Sequence, residues 1–215
     1  MNPHDLKLYQ SNGSPNSRRV RIYLAERGIC MPMIPVDLGP RNSSPTPTPP
    51  STRARVVPTL LLEDGTAIGE VPAIWRYLEA LYPDAPLMGA TAKDKALATM
   101  WERRMELEGL APAIEAVRNR ADGLKGRAIA GPHGYEQIPA LVERGRQRVA
   151  DFHGDLDALM QDRPFVAGQA FSVADITARV AVDFAAKALD MPLPASAMAA
   201  RRWHDDLSAR PSIQA

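Results

Sequence analysis

Apolar positions fall in short runs over the first third of the chain and at helical spacing over the rest. Leu6-Lys7-Leu8-Tyr9 is short and mostly apolar, with turn formers behind it, and reads as a buried strand. A polar loop, residues 11–17, follows. Val20, Ile22, Tyr23, Leu24 and Ala25 then lie in a run that stops at Gly28, which predicts a helix of about ten residues. Met33–Leu38 and Val56–Leu62 predict a second and a third strand. The turn formers Glu63-Asp64-Gly65-Thr66 lead into a short fourth strand beginning Ala67-Ile68-Gly69. Pro72 opens a helix through Ala80, proline being favoured at the first helical position. Between the second and third strands, five prolines fall within residues 40–50. Each removes a donor and clashes with the preceding turn, so residues 40–52 are expected to be irregular or extended rather than helical.

Tyr82-Pro83-Asp84-Ala85-Pro86 breaks the pattern and reads as a linker, and no strand is predicted beyond it. Leu97, Trp101, Leu107, Leu110, Ile114 and Val117 recur mostly at three- and four-residue steps, as do Ile138, Leu141, Val142, Val149, Phe152, Leu156 and Leu159. Both predict long amphipathic helices. A glycine-rich stretch, residues 123–134, separates them, and shorter helices are expected at about 173–189 and 196–209. The division is a β-rich domain over residues 1–82, a linker over 83–91 and an all-helical domain over 92–215.

Composition narrows the function. The 215 residues carry a formal net charge of only +1, with 24% charged side chains and no basic stripe, which argues against nucleic acid as a partner. The single cysteine, Cys30, cannot form an internal disulfide, which suits a reducing compartment, and is expected to pack in the core. The first residues lack a leader pattern and no apolar run approaches membrane-spanning length, so a cytoplasmic location is expected and a membrane is not. The histidines are scattered without metal-ligand spacing, and there is no phosphate-binding glycine loop, so no metal or nucleotide cofactor is expected.

Four local patterns stand out. Ser14-Pro15-Asn16-Ser17-Arg18-Arg19-Val20 joins a loop to a helix start, where Ser and Asn are favoured as caps. Val57-Pro58-Thr59-Leu60 puts proline at the entry to a strand, where it cannot donate to the ladder. Glu70-Val71-Pro72-Ala73-Ile74 places a carboxylate at a helix N-terminus. In Phe171-Ser172-Val173-Ala174-Asp175-Ile176, Ser172 and Asp175 form a capping box, with Phe171 and Ile176 spaced as its hydrophobic staple.

In this order the four patterns resemble the cytosolic glutathione S-transferase family, of the bacterial type with a serine-like active-site loop. The resemblance implies an N-terminal thioredoxin-like domain (α/β) followed by a C-terminal α-helical bundle, and a homodimer in which the helix from Pro72 and the long helix from about Lys93 face the partner. It implies that glutathione is a co-substrate whose thiolate attacks a hydrophobic electrophilic small molecule. A hydroxyl in the first loop would donate to the sulfur. Ser14 is the first choice, and Asn16 and Ser17 could share or take the role. A cis Val57–Pro58 bond would present Val57 to the backbone of glutathione. Glu70 would accept its α-ammonium, and free N–H groups near Val71 would take its γ-glutamyl carboxylate. Val71 stands where many members have serine, so that hydroxyl contact is absent. Arg41, Asn42, Arg53 or Arg55 could meet the glycine end. Ser172 and Asp175 would serve folding. Trp101, Met105 and Leu110 could wall the second-substrate site or be plain core. The rival readings are a non-catalytic glutathione-binding or interaction module, and another glutathione-dependent reaction such as peroxide reduction, isomerisation or dehalogenation.

Overall fold

Residues 6–37 and 56–215 are described by the computed structural model. Strand β1 (Lys7–Gln10) pairs in parallel with β2 (Met33–Pro35) and antiparallel with β3 (Thr59–Leu61), which pairs antiparallel with β4 (Ala67–Ile68). The sheet is therefore mixed, in the order β2-β1-β3-β4. Helix α1 (Pro15–Glu26) connects β1 to β2, and α2 (Val71–Leu81) follows β4 and packs on α1. Leu6, Leu8 and Leu60 from the sheet meet Ile22, Leu24, Ile74, Trp75 and Leu78 from these helices in a dry core. This is the thioredoxin-like arrangement. The expected irregular segment 40–52, together with Arg41, Asn42, Arg53 and Arg55, lies outside the described residues.

The strands are shorter than the apolar runs. Pro58 cannot donate to the ladder, so β3 starts at Thr59 rather than Val56. Gly65, at φ 85°, supplies the left-handed position of the β3–β4 turn, and the Leu62 N–H closes it on the Thr66 carbonyl at 2.8 Å. Cys30 is exposed, which corrects the expectation of core packing. Burial alternates along the chain leaving α1, with Met31 in the core and its neighbours Cys30 and Pro32 exposed.

The remainder is helical: α3 (Ala92–Arg104), a π-helical segment (Met105–Leu110), α4 (Ala111–Arg120), α5 (Pro139–Leu159), α6 (Val173–Leu189) and α7 (Met198–Ser208). Helix α6 is the hub. Its residues from Val173 to Val182 are all buried, as expected for a helix surrounded by others, and it contacts α1, α3, α4 and the π-helical segment. Its N-terminus is the anticipated capping box. Ser172 Oγ accepts from Ala174 N–H at 3.3 Å, and Asp175 Oδ2 accepts from Ser172 N–H at 3.0 Å. Asp175 Oδ1 also takes Val166 N–H at 2.8 Å and Trp203 Nε1–H at 3.1 Å, tying the loop before α6 and helix α7 to one carboxyl. Burial pushes that carboxyl up to about 6, against the pull of its donors.

The π-helical segment interrupts what the periodicity reads as one long helix. Pro112 has no N–H to return to the preceding turn, and Ala111 N–H reaches five residues back to the Glu106 carbonyl. Gly109 lets the segment press on α5: a Cβ there would lie 2.7 Å from the Phe152 ring. The wider turn carries Glu106 and Leu110 to the junction between the two domains.

Candidate active site

Two adjoining cavities open at that junction. The smaller, about 310 Å³, lies between the loop at Gly13–Asn16, the turn at Val56 and Val57, and Ile114, Val117 and Phe184 of the helical domain. The larger, about 620 Å³, is walled by Leu110, Ile114, Ile138 and Leu141 and roofed by the loop carrying Ile129 and Tyr135. They share Asn16, Ile114, Arg118, Ile129 and Ala130.

Ser14 is the N-cap of α1. Its φ of −91° and ψ of 120° are extended, and its Oγ accepts from Ser17 N–H at 3.3 Å. Pro15 at the first helical position starts the helix without a surplus N–H. Ser14 lines the smaller cavity while retaining a hydroxyl proton to donate. Ser17 is fully buried and lines neither cavity; its Oγ accepts from Ser11 N–H at 3.2 Å and so braces the loop from beneath. Asn16 lines both cavities, and its Oδ1 accepts from Arg19 Nη1 at 3.0 Å.

Val57 lines the smaller cavity together with Ser14, and the Val57–Pro58 peptide is cis, as expected. Glu70 and Val71 stand at the start of α2, outside the lining of both cavities. Glu70 is exposed and takes φ 62°, an uncommon conformation for a residue with a side chain. Its carbonyl accepts from Ala73 N–H and Ile74 N–H, both at 3.1 Å. Pro72 has no N–H, so Val71 supplies the main-chain donor left at this helix start. The Val71 side chain is buried in the core.

Of the three residues considered for the second-substrate wall, Leu110 lines the larger cavity and Met105 is buried core. Trp101 packs on the core, with Arg104 and Arg163 over its ring at 4.8 and 5.4 Å. Among the charged residues of the larger cavity, Glu106 pairs with Arg19 and Arg103, and Glu115 pairs with Arg144. Arg118 donates to the carbonyls of Arg127 and Ala128, holding down the roof loop. Glu136 completes the charged lining.

Sequence reasoning left Arg19 without a role. Its guanidinium is fully buried, lies 5.1 Å over the Trp75 ring, and donates to Thr177 Oγ1 at 3.0 Å, to Glu106 Oε1 at 3.3 Å and to Glu102. Burial raises the Glu102 carboxyl, with the nearby Arg19 charge opposing that rise. The signal was present in the spacing: Arg19 is three and four residues before Ile22 and Tyr23, on the buried stripe of α1.

Comparison with known proteins agrees with this fold. Residues 8–86 match the family model described as glutathione S-transferase, N-terminal domain. Glutathione S-transferase 2 of Saccharomyces cerevisiae is 32% identical over 212 residues, covering 96% of this chain and 87% of that protein. The crystal structure of a glutathione S-transferase domain-containing protein from Marinobacter aquaeolei superposes with a TM-score of 0.84 at 32% identity, covering 96% of this chain and 99% of that one. A glutathione S-transferase from Methylobacillus flagellatus, solved with glutathione bound, shares the fold with a TM-score of 0.80 at 23% identity, covering 97% of each chain. With a relative of this identity aligned across nearly its whole length, the chain belongs to the glutathione S-transferase family.

Proposed function

We propose that this protein is a glutathione transferase that holds glutathione along the smaller cavity and conjugates it to an apolar, uncharged electrophile seated in the larger one. One observation carries the reading: a hydroxyl with a proton to donate, on Ser14, stands at the positive end of a twelve-residue helix and faces a cleft bounded by Val57. A thiol titrates near ~8.5 and is mostly protonated at neutral pH. A donor aimed at sulfur and the N-terminus of α1 both favour the thiolate. The thiol proton leaves to solvent. The thiolate then forms a carbon–sulfur bond while the leaving group departs with its electron pair, or the electron pair of a conjugated double bond moves onto its acceptor.

In this reading the γ-glutamyl end rests at the start of α2, its carboxylate on Val71 N–H and its ammonium on Glu70. The Val57 main chain pairs with the cysteinyl unit. Division near residues 83–91, a homodimer formed through α2 and α3, and a cytoplasmic location accompany it; among the described residues no helix is long and apolar enough to cross a membrane. Family membership and the placement of Ser14 favour turnover over a retained binding module.

The electrophile class follows from the larger cavity. Among the described residues its walls are aliphatic, Glu106, Glu115 and Glu136 line it as carboxylates, and the lining guanidinium, on Arg118, is engaged with main-chain carbonyls. A carboxylate on the acceptor would meet no ready partner among these described residues. The test uses a neutral aryl halide and its carboxylated analogue, each enzymatic kcat/KM being divided by the uncatalysed rate with glutathione. The neutral acceptor is expected to lead by about tenfold or more. Equal ratios would contradict the assigned electrophile class, and no conjugation of any acceptor would favour the binding-module reading.

A further inference from the structure

Arg19 does more than fill the domain interface. A guanidinium has only donors to offer, so the oxygen of the Asn16 amide must face it. The two ends of an amide group diverge, and Asn16 lines both cavities. With the oxygen held by Arg19, the NH₂ end is left as the part of Asn16 available to a ligand. Without Arg19 the amide could turn over and offer its carbonyl oxygen, which repels an anion.

Arg19 is itself over-determined. Thr177 from α6, Glu102 from α3, Glu106 from the π-helical segment and the Trp75 ring from α2 surround it, and none of its surface meets solvent. A group fixed by four elements can hold a fifth partner in one orientation, at no further ordering cost when a ligand arrives. Thr177 in turn donates to Glu102 at 3.2 Å, so the acceptors around the guanidinium are organised as one network. Among the described residues, the charged groups lining the two cavities with Asn16 are Glu106, offset by Arg19 and Arg103; Glu115, paired with Arg144; Glu136; Arg118, engaged with the roof loop; and Arg127 of that loop.

We propose that Arg19 is a positioning residue, locking the Asn16 amide so that its NH₂ group donates to the glutathione thiolate beside the Ser14 hydroxyl. This rests on the glutathione-thiolate reading above. It makes the helical domain, through Glu102, Glu106 and Thr177, part of what activates a thiol bound by the other domain.

The experiment follows thiolate formation in glutathione bound to the protein by its ultraviolet absorbance across a pH series, with calorimetric titration of glutathione on each variant. Asn16→Asp keeps the side chain's shape and its acceptor toward Arg19 while replacing the donor with an anionic oxygen. It is expected to fold, to bind glutathione, and to move the midpoint of thiolate formation upward by about one pH unit or more, a tenfold loss of thiolate in the acidic range. A cycle with Asn16→Ala and Arg19→Lys separates positioning from mere support. If Arg19 acts through Asn16, Arg19→Lys raises the midpoint in the wild-type background and leaves it in place once Asn16 is alanine. An unmoved midpoint in Asn16→Asp, or an equal effect of Arg19→Lys in both backgrounds, overturns the proposal. Should Arg19→Lys not fold, Thr177→Val, which removes an acceptor fixing the guanidinium without changing a charge, takes its place in the same cycle with the same expected outcomes. Absence of glutathione binding by the wild-type protein would overturn the parent reading as well, and so is distinguishable from failure of this one.

Discussion

Ser14 performs two tasks with one oxygen. A lone pair accepts the Ser17 N–H and caps α1, and the hydroxyl proton remains for the cleft. Ser14→Ala therefore has separable effects. Loss of the cap is expected to cost about 1 kcal/mol of stability. Loss of a donor to a charged sulfur, about 1.5–3 kcal/mol, is expected to lower kcat/KM by roughly 10- to 100-fold while calorimetry finds glutathione affinity little changed. A variant that turns over at the wild-type rate would remove Ser14 from the mechanism. The polar loop was legible in the sequence as the place for such a donor, but the division of labour within it was not. Ser14, Asn16 and Ser17 are all plausible by type. The first turn of the helix decides that Ser17 is buried against Ser11 while Ser14 and Asn16 meet the cleft. The partners of Arg19, 83 and 158 positions along the chain, could not be read from local pattern at all.

At the scale of elements, apolar periodicity located every strand and helix that this site uses, because each buries one face against a neighbour. It failed where covalent chemistry overrides apolar pattern. The run Val56–Leu62 is wholly strand-like in composition, yet pairing begins after Pro58. The stretch from Leu97 to Val117 keeps a helical period, yet contains six residues of π-helix ahead of Pro112. Leu107, counted on the apolar stripe by its spacing, is exposed, and Met105 takes the buried position of that wider turn. Its consequence is functional, since Glu106 and Leu110 both sit on it, one reaching Arg19 and the other walling the larger cavity. Cys30 was misplaced because residue type favoured the core, while the chain beyond α1 turns its neighbour Met31 inward instead.

At the scale of the whole molecule, the domain junction is held by an ion-pair cluster on Asp183, in which the Arg179–Asp183 pair is local to α6 and the partners from α1 and α7 are distant in the chain. Arg18 of α1 reaches Asp183 of α6 at 2.7 Å, and Asp183 also receives Arg179 at 2.9 Å and His204 of α7 at 2.7 Å. Burial alone would raise the Asp183 carboxyl, but the hydrogen bonds from His204, Arg179 and Arg18 and the charge of Arg179 outweigh it and hold the group well below the usual carboxylate range. A carboxyl with a depressed folded pKa contributes stability that is full above its unfolded value of ~3.9 and is lost as the pH falls through the folded value. Asp183→Asn is thus expected to cost about 2–3 kcal/mol at neutral pH, with the gap to the wild type closing in acid below about pH 4. Urea midpoints measured across pH check this; a gap that does not change with pH would contradict a charged origin.

The central claim is that the cleft at Ser14 turns bound glutathione into its thiolate. The measurement that reaches it most directly is the pH midpoint of thiolate absorbance for glutathione bound to the wild-type protein, against free glutathione in the same buffer. The account predicts a bound midpoint at least one to two pH units below that of the free thiol, which places most of the bound sulfur in its reactive form near neutrality. A bound midpoint equal to the free one would contradict it.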